Sequence, residues 1–191
     1  MERILDENRD ELLQANKKDL DAFNRDDQAL YDRLVVDQKK VDQMIQAVKE
    51  VRLQDDPVNK EISTRELDNG LKIINRTAPF GTIMIIYESR PDVTIEAAVL
   101  AFKANNKILL KGGKEAYHSN KALVKFWHQA LRENDLSEDF IQFMEMDRTQ
   151  TQEFLRNPDQ DLDLIVPRGG ERLIAFVKEA LKLLLKSKAC T

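Results

Sequence analysis

The segment from residue 2 to residue 53 places apolar side chains at steps of three and four residues, the spacing that lines one face of an α-helix. The apolar positions are Ile4, Leu5, Leu12, Leu13, Leu20, Val41, Met44, Ile45, Val48 and Val51. Most residues between them are polar or charged. The pattern predicts amphipathic helices whose apolar faces cover another part of the fold.

A short β-prone segment follows these helices. Pro57 ends the helical pattern, and the turn sequence Asp68-Asn69-Gly70 separates two short runs, the second of which alternates apolar residues from 71 to 76. An Asn-Gly turn between two such runs is a hairpin signal. We therefore divide the first part of the chain into a helical segment, 1–60, and a hairpin or edge ribbon, 61–79.

From residue 80 to residue 191 the pattern changes to repeated strand–helix units. The predicted strands are 82–88, 107–110, 140–144 and 162–166, and the predicted helices are 92–104, 114–132, 148–156 and 170–187. We interpret the runs 83–86, 108–110 and 162–166 as apolar without alternation, which is typical of strands covered by helices on both faces. Four such units predict an α/β fold with a Rossmann-like parallel sheet and right-handed crossovers.

The last helix carries a leucine-rich stretch, Leu181 to Leu185, and no further strand follows it. So much apolar surface without a partner segment favours a truncated domain. The alternative is that this face closes an oligomer interface or packs on the N-terminal helices. The pattern leaves both open.

Composition narrows the classes of partner. With 30 basic and 34 acidic residues the net charge is −4 and no basic block occurs, so nucleic acid is an unexpected partner. The N-terminus has no leader pattern, and no run reaches the roughly 20 apolar residues of a membrane span. We expect a cytoplasmic protein. One cysteine and two histidines, without ligand-like spacing, predict neither an internal disulfide nor a metal site.

The turn after the second predicted strand is the strongest sign of a cofactor site. Lys111-Gly112-Gly113 follows that strand and opens a helix; two residues without side chains let a ligand approach the backbone while the lysine offers a charge. Lys114 adds a second charge, which favours NADP over NAD because NADP carries an extra phosphate. The alternative is a tight turn with solvated lysines.

Three more polar turns fall at the carboxyl ends of predicted strands, the edge at which nucleotides bind in α/β proteins. They are Glu88-Ser89-Arg90-Pro91-Asp92, Asp147-Arg148-Thr149 and Pro167-Arg168-Gly169-Gly170. Pro91 suits the first turn of a helix, Ser89 or Asp92 could simply cap that helix, and Asp147 is a natural N-cap. Arg148 could reach a phosphate or lie in solvent.

These motifs together resemble a known family. The runs 87–94, 109–116 with Ser119-Asn120, 147–148 and 165–170 are similar, in order and spacing, to those of γ-glutamyl phosphate reductase (glutamate-5-semialdehyde dehydrogenase), over roughly residues 1–179. The resemblance implies the N-terminal, cofactor-binding part of an oxidoreductase of the aldehyde dehydrogenase superfamily. That family, in proline biosynthesis, reduces L-glutamyl 5-phosphate with NADPH to glutamate 5-semialdehyde and phosphate, commonly as a homo-oligomer.

The resemblance also implies roles for particular residues. Ser89, Arg90 and Pro91 would line the dinucleotide cleft, and Lys111, in the turn with Gly112 and Gly113, would bind the adenosine ribose or its 2′-phosphate. Lys114 would lie where an NAD-preferring relative often has glutamate. Arg168, Gly169 and Gly170 would approach the pyrophosphate. Asp92 matches a position where asparagine helps to polarise the substrate carbonyl, and its role stays open.

One family feature has no counterpart in the matched residues. The family's cysteine nucleophile lies beyond the last shared motif, and Cys190 matches it in neither position nor neighbours. We therefore expect no catalytic residue among the matched positions and no turnover by this chain alone. The alternatives are a non-catalytic NADPH-binding module, which could pair with a full-length subunit, and an inactive, poorly folded remnant.

Overall fold

The computed structural model describes residues 1–24, 27–158 and 161–188, with side chains described as far as residue 180. Four helices come first: α1 (Glu2–Glu7), α2 (Arg9–Ala22), α3 (Gln28–Leu34) and α4 (Gln38–Leu53). Strands β1 (Glu61–Glu66) and β2 (Lys72–Arg76) form an antiparallel two-stranded ribbon. The helical pattern and the hairpin expected around the Asn69-Gly70 turn are therefore present.

The remainder is the expected series of strand–helix units. It runs β3 (Thr82–Tyr87), α5 (Pro91–Lys103), β4 (Lys107–Lys111), α6 (Tyr117–Arg132), β5 (Ile141–Phe143), α7 (Arg148–Arg156), β6 (Leu164–Arg168) and α8 (Glu171–Lys188). The four strands pair in parallel in the order β5-β4-β3-β6. The predicted helix 114–132 is divided, because Lys114–Ala116 forms a short 3₁₀ turn before α6.

Helices cover both faces of the sheet, as the uninterrupted apolar strands predict. Alternate residues of β3 point to opposite faces: Ile85 and Tyr87 pack with α5 and α6, whereas Met84 and Ile86 pack with α7 and α8. On β4, Leu110 packs on the α5 and α6 side and Leu109 on the α7 and α8 side. The sheet is therefore the middle layer of the α/β fold.

The N-terminal helices form a further layer over α5 and α6. Helix α4 contacts α5, and α2 contacts α6. Ile4, Leu5, Leu12 and Val41 belong to the same apolar cluster as Ile85 of the sheet. The helices thus share a core with the strand–helix units, on the face opposite to α8. The side chains of Leu181 to Leu185, which prompted the truncation hypothesis, lie outside the described part, as does Cys190.

No helix among the described residues has the length and apolar character that a membrane crossing requires.

Candidate functional site

The carboxyl ends of β3, β4 and β6 meet at one edge of the sheet because the strands are parallel. A cleft of about 560 Å³ opens there, within the range of small-molecule sites. Its lining consists of Leu30, Ile86, Tyr87, Glu88, Ser89, Lys111, Gly112, Gly113, Lys114, Glu115, Met146, Asp147, Arg148, Thr151, Arg172, Leu173 and Phe176. The predicted Lys-Gly-Gly turn and Arg148 therefore line the same cavity.

The turn that contains the two glycines packs closely against its neighbours. A Cβ on Gly113 would lie 2.7 Å from Glu115 Oε2, and 3.4 and 3.5 Å from the backbone of Glu88 and Ser89. The turn after β4 thus lies directly against the turn after β3. Both glycines also line the cleft, where the absence of a side chain lets a ligand approach their backbone.

The two lysines of the turn differ in their surroundings. Lys111 is partly buried, and its Nζ donates to the carbonyl of Gly112 at 2.8 Å. Burial lowers the pKa of Lys111, against the opposing effect of the carboxylates of Glu115 and Asp147. Lys114 is exposed at the start of the 3₁₀ turn. The turn therefore offers one partly desolvated cation and one in solvent.

Arg148 begins α7 and lines the same cleft. The N-cap of that helix is Asp147, as expected: its Oδ1 accepts from the backbone N–H of Gln150 at 2.8 Å, and Gln150 Oε1 accepts from the N–H of Asp147 at 2.9 Å. The guanidinium of Arg148 lies 5.2 Å from the centroid of the Phe176 ring, in cation–π range. Arg148 is exposed, so its guanidinium contacts the Phe176 ring on one side and is open to solvent at the cleft.

A second cleft, of about 410 Å³, adjoins the first and shares Tyr87, Glu88 and Ser89 with it. The remaining lining residues are Arg33, Arg90, Val93, Arg168, Gly169 and Gly170. The structure therefore brings the predicted residues after β3 and after β6 to one cavity. Pro91 lines neither cleft and is buried in the first turn of α5.

Both strand-end arginines of the second cleft have carboxylate partners. Arg90 Nη2 lies 2.7 Å from Asp92 Oδ2, and this contact is the main reason that the pKa of Arg90 is raised. Arg168 Nη1 lies 3.1 Å from Glu96 Oε2. The backbone N–H of Gly170 donates to Glu88 Oε1 at 3.2 Å. An anion here would meet arginines and a backbone N–H that already have partners.

The cap proposed for α5 from the sequence is wrong. The N-cap is Arg90, which makes no side-chain cap hydrogen bond. Ser89 Oγ instead donates to Glu115 Oε2 at 3.3 Å. The Oδ2 atom of Asp92 bonds to Arg90, and its Oδ1 is buried with no hydrogen-bond partner among the described residues. Neither Ser89 nor Asp92 therefore caps α5.

Sequence reasoning did not find the apolar walls of the larger cleft. Leu30 comes from α3, Met146 and Thr151 from around the start of α7, and Leu173 and Phe176 from α8. Leu173 and Phe176 could have been found from the sequence, because they lie in the first two turns of the helix that follows Gly170. Nothing local marked Leu30, because it comes from a helix far away in sequence. In the described part, no group of three or more His, Cys, Asp or Glu side chains could hold a metal ion.

No protein-family model matches the chain. Individual relatives match it closely. The γ-glutamyl phosphate reductase of Aquifex aeolicus is 40% identical over 182 residues, covering 94% of this chain and 42% of the relative. That of Thermotoga petrophila is 43% identical over 178 residues, covering 92% of this chain and 43% of the relative. The chain thus spans about two fifths of the length of the relatives it matches.

Solved structures agree with these sequence matches. The crystal structure of γ-glutamyl phosphate reductase from Thermotoga maritima superposes with a TM-score of 0.88 at 40% identity, covering 94% of this chain and 44% of the other. The γ-glutamyl phosphate reductase from Saccharomyces cerevisiae superposes with a TM-score of 0.82 at 32% identity, covering 95% of this chain and 47% of the other.

A more distant structure defines the fold class. Succinic semialdehyde dehydrogenase from Streptococcus pyogenes, solved with NADP⁺ as the cofactor, gives a TM-score of 0.57 at 16% identity, covering 96% of this chain and 37% of the other. Likeness at that identity shows the fold alone. The chain is therefore homologous, over nearly all its length, to a segment of the γ-glutamyl phosphate reductases, and it has an aldehyde dehydrogenase fold.

Proposed function

We propose that the carboxyl edge of the sheet binds NADPH. The observation that carries this proposal is the turn in which Lys111 and Lys114 flank two glycines at a cleft of about 560 Å³. The residues fit a dinucleotide phosphate, because both glycines line the cleft without a side chain to block a ligand and the lysines supply positive charge. Lys111 and Lys114 would hold the adenosine ribose and its 2′-phosphate, and Arg148 would offer a further charge from the same cleft.

The second cleft supports the rest of the cofactor in this proposal. Gly169 and Gly170, with Arg168 beside them, would approach the pyrophosphate at the start of α8, where helix N–H groups favour an anion. Gly170 N–H would then exchange its bond to Glu88 for one to the ligand. Ser89, which borders both cavities, and Arg90, which borders the second, would line the cleft beyond the pyrophosphate.

For the protein that contains this segment together with the rest of the reductase, we propose the family reaction. L-Glutamyl 5-phosphate is reduced to glutamate 5-semialdehyde and phosphate, in proline biosynthesis and in the cytoplasm. Bound NADPH supplies the hydride. Asp92, with one buried oxygen unpaired among the described residues, is the candidate to act near the substrate carbonyl.

For these 191 residues alone we propose cofactor binding without turnover. The resemblance places the reactive cysteine of the family beyond the matched positions. Mixing the purified chain with NADPH and an acyl phosphate should therefore leave the absorbance of NADPH unchanged. Consumption of NADPH that depends on the acyl phosphate would contradict this proposal.

Titration with NADPH and NADH tests the binding proposal directly. We expect NADPH to bind more tightly than NADH, and Lys111→Ala to weaken NADPH binding by roughly tenfold, since a charge-assisted hydrogen bond contributes about 1.5–3 kcal/mol. The measurement is calorimetric or fluorescence titration of each variant. Lys49→Ala, an exposed lysine on α4 far from both clefts, is the matched control and should bind as the wild type does. Equal, weak affinity of the wild type for both dinucleotides would contradict the proposal.

The affinity for NADPH should also fall at alkaline pH earlier than an ordinary lysine allows. Burial lowers the pKa of Lys111, so its ammonium is lost as the pH rises through a value below the usual one. Only the charged form attracts phosphate, so the affinity should decline in that window by roughly tenfold in total, the loss expected for Lys111→Ala. Lys111→Arg keeps its charge, so its affinity should stay level across the same range. An identical decline in both proteins would assign the titration to another group.

A further inference from the structure

Helix α6, which follows the Lys-Gly-Gly turn, begins without a cap of its own. Its N-cap residue is Ala116, whose methyl group accepts no hydrogen bond. The first N–H groups of any α-helix have no partner inside the helix, and a buried N–H without one costs free energy. The start of α6 therefore needs an acceptor from elsewhere in the fold.

Asp19 of helix α2 provides that acceptor from about a hundred residues earlier in the chain. Its Oδ1 accepts from the backbone N–H of His118 at 2.9 Å, and its Oδ2 accepts from the N–H of Ser119 at 2.8 Å. Those are the second and third residues of α6, the positions that a capping side chain ordinarily serves. Ser119 Oγ also donates to Oδ2 at 2.6 Å. The carboxylate is 4% exposed, so it is enclosed with the helix end that stabilises its charge.

Asn16, one helical turn before Asp19, completes the cluster. Its Nδ2 donates to Ser119 Oγ at 3.0 Å and to the carbonyl of Leu34 at 2.9 Å, and its Oδ1 accepts from the N–H of Val36 at 2.8 Å. Asn16 is 1% exposed and Ser119 is fully buried. A buried network with its partners satisfied resists displacement, because moving any member leaves a polar group unpaired. The network therefore fixes α2 against the first turn of α6.

The start of α6 in turn determines where the lysines lie. β4 ends at Lys111 and α6 starts at Tyr117, so the intervening turn is held by the sheet at one end and by the Asp19 cap at the other. We propose that Asp19 is a positioning residue for the Lys111–Lys114 turn, and that helix α2 is thereby part of the cofactor-binding machinery. This inference rests on the proposed function of the cleft.

The same contacts specify what an anion in the cleft encounters. Asp19 occupies the N–H groups of His118 and Ser119, so the N-terminus of α6 is not available to phosphate as helix ends often are. Attraction for the 2′-phosphate therefore depends on the two lysines and on their placement. A purely electrostatic role for Asp19 has the opposite consequence, because removal of its negative charge would strengthen phosphate binding. The sign of the effect distinguishes the two roles.

The experiment compares Asp19→Ala, Asp19→Asn and Val48→Ala in the 191-residue chain. Val48 is a buried residue of α4 that lines neither cleft, so its truncation lowers stability without touching the turn. We expect Asp19→Ala to weaken NADPH binding by roughly tenfold, the scale of a lost cap, with a smaller change for NADH. Asn can still accept from one N–H and donate to Ser119 Oγ, so Asp19→Asn should retain more NADPH affinity than Asp19→Ala. Val48→Ala should leave the ratio of NADPH to NADH affinity unchanged.

Amide hydrogen exchange over residues 111–119 completes the test independently of any ligand. Exchange should be faster than in the wild type in both Asp19 variants and unchanged in Val48→Ala. If the wild type binds neither dinucleotide, the proposed function fails, but the exchange difference still supports positioning by Asp19. If Asp19→Ala keeps both the wild-type ratio of NADPH to NADH affinity and the wild-type exchange rates, the inference is overturned. Tighter NADPH binding by Asp19→Ala would also overturn it.

Discussion

Replacing Gly112 by valine should destabilise the chain by about 3 kcal/mol, the upper part of the range for an overpacked core. A Cβ at this position would lie 2.2 Å from Asn120 Nδ2 and 3.1 Å from the ring of Tyr87. Asn120 is fully buried, and its Oδ1 accepts from Thr94 Oγ1 at 2.8 Å. The clash could be relieved only by breaking that bond or by moving the turn away from the cleft. Urea unfolding measures the loss, and NADPH titration should show weakened binding.

A control and a double-mutant cycle make the cause of this loss testable. Gly170→Ala introduces a Cβ whose nearest neighbour is Glu88 Oε1 at 3.9 Å, an ordinary contact, so its stability should stay close to that of the wild type. Gly112→Ala should lower the free energy of unfolding clearly less in an Asn120→Ala background than in the wild type, with a coupling energy of about 1 kcal/mol or more. If the two substitutions are additive, contact with Asn120 is not the reason for the glycine.

Local sequence pattern was sufficient to predict the strand–helix units and the edge at which the polar turns meet. The apolar runs at 83–86 and 108–110 carry no polar alternation, and each occurs in a strand covered on both faces. The same prediction for 162–166 holds only in part, because Asp163 interrupts that run and Val166, in the edge strand β6, is 36% exposed. The Asn69-Gly70 turn joins a real hairpin. In these cases the physical cause is local, because periodicity and turn chemistry act within a few residues.

Where the cause is distant in sequence, local pattern was insufficient. The order β5-β4-β3-β6 depends on which strands pair, and no residue within a strand specifies that. Asp19 lies in a polar helix and would ordinarily be assigned to solvent, yet it is buried because the bare start of α6 needs an acceptor. Ser89 Oγ likewise donates to Glu115 Oε2 rather than capping its own helix. The position of each side chain depends on a partner that is distant in sequence and that only the fold brings near.

Lys114→Glu should reverse the cofactor preference of the cleft. Lys114 is exposed at the start of the 3₁₀ turn, beside Gly113, and its turn borders the larger cleft. A carboxylate there would repel a 2′-phosphate but could accept a hydrogen bond from the free 2′-hydroxyl of NADH, the role that acidic residues have in NAD sites. We expect NADPH affinity to fall by roughly a hundredfold, since an attraction is lost and a repulsion is added, while NADH affinity holds or rises.

Lys114→Gln separates the two contributions. Glutamine removes the attraction without adding charge, so NADPH affinity should fall by roughly tenfold and NADH affinity should change little. Parallel titrations of both variants with both dinucleotides give the comparison. If Lys114→Glu leaves the ratio of affinities at its wild-type value, the 2′-phosphate does not lie beside this residue. Arg148, whose guanidinium contacts the Phe176 ring, would then be the cation to substitute, because it also borders the cleft.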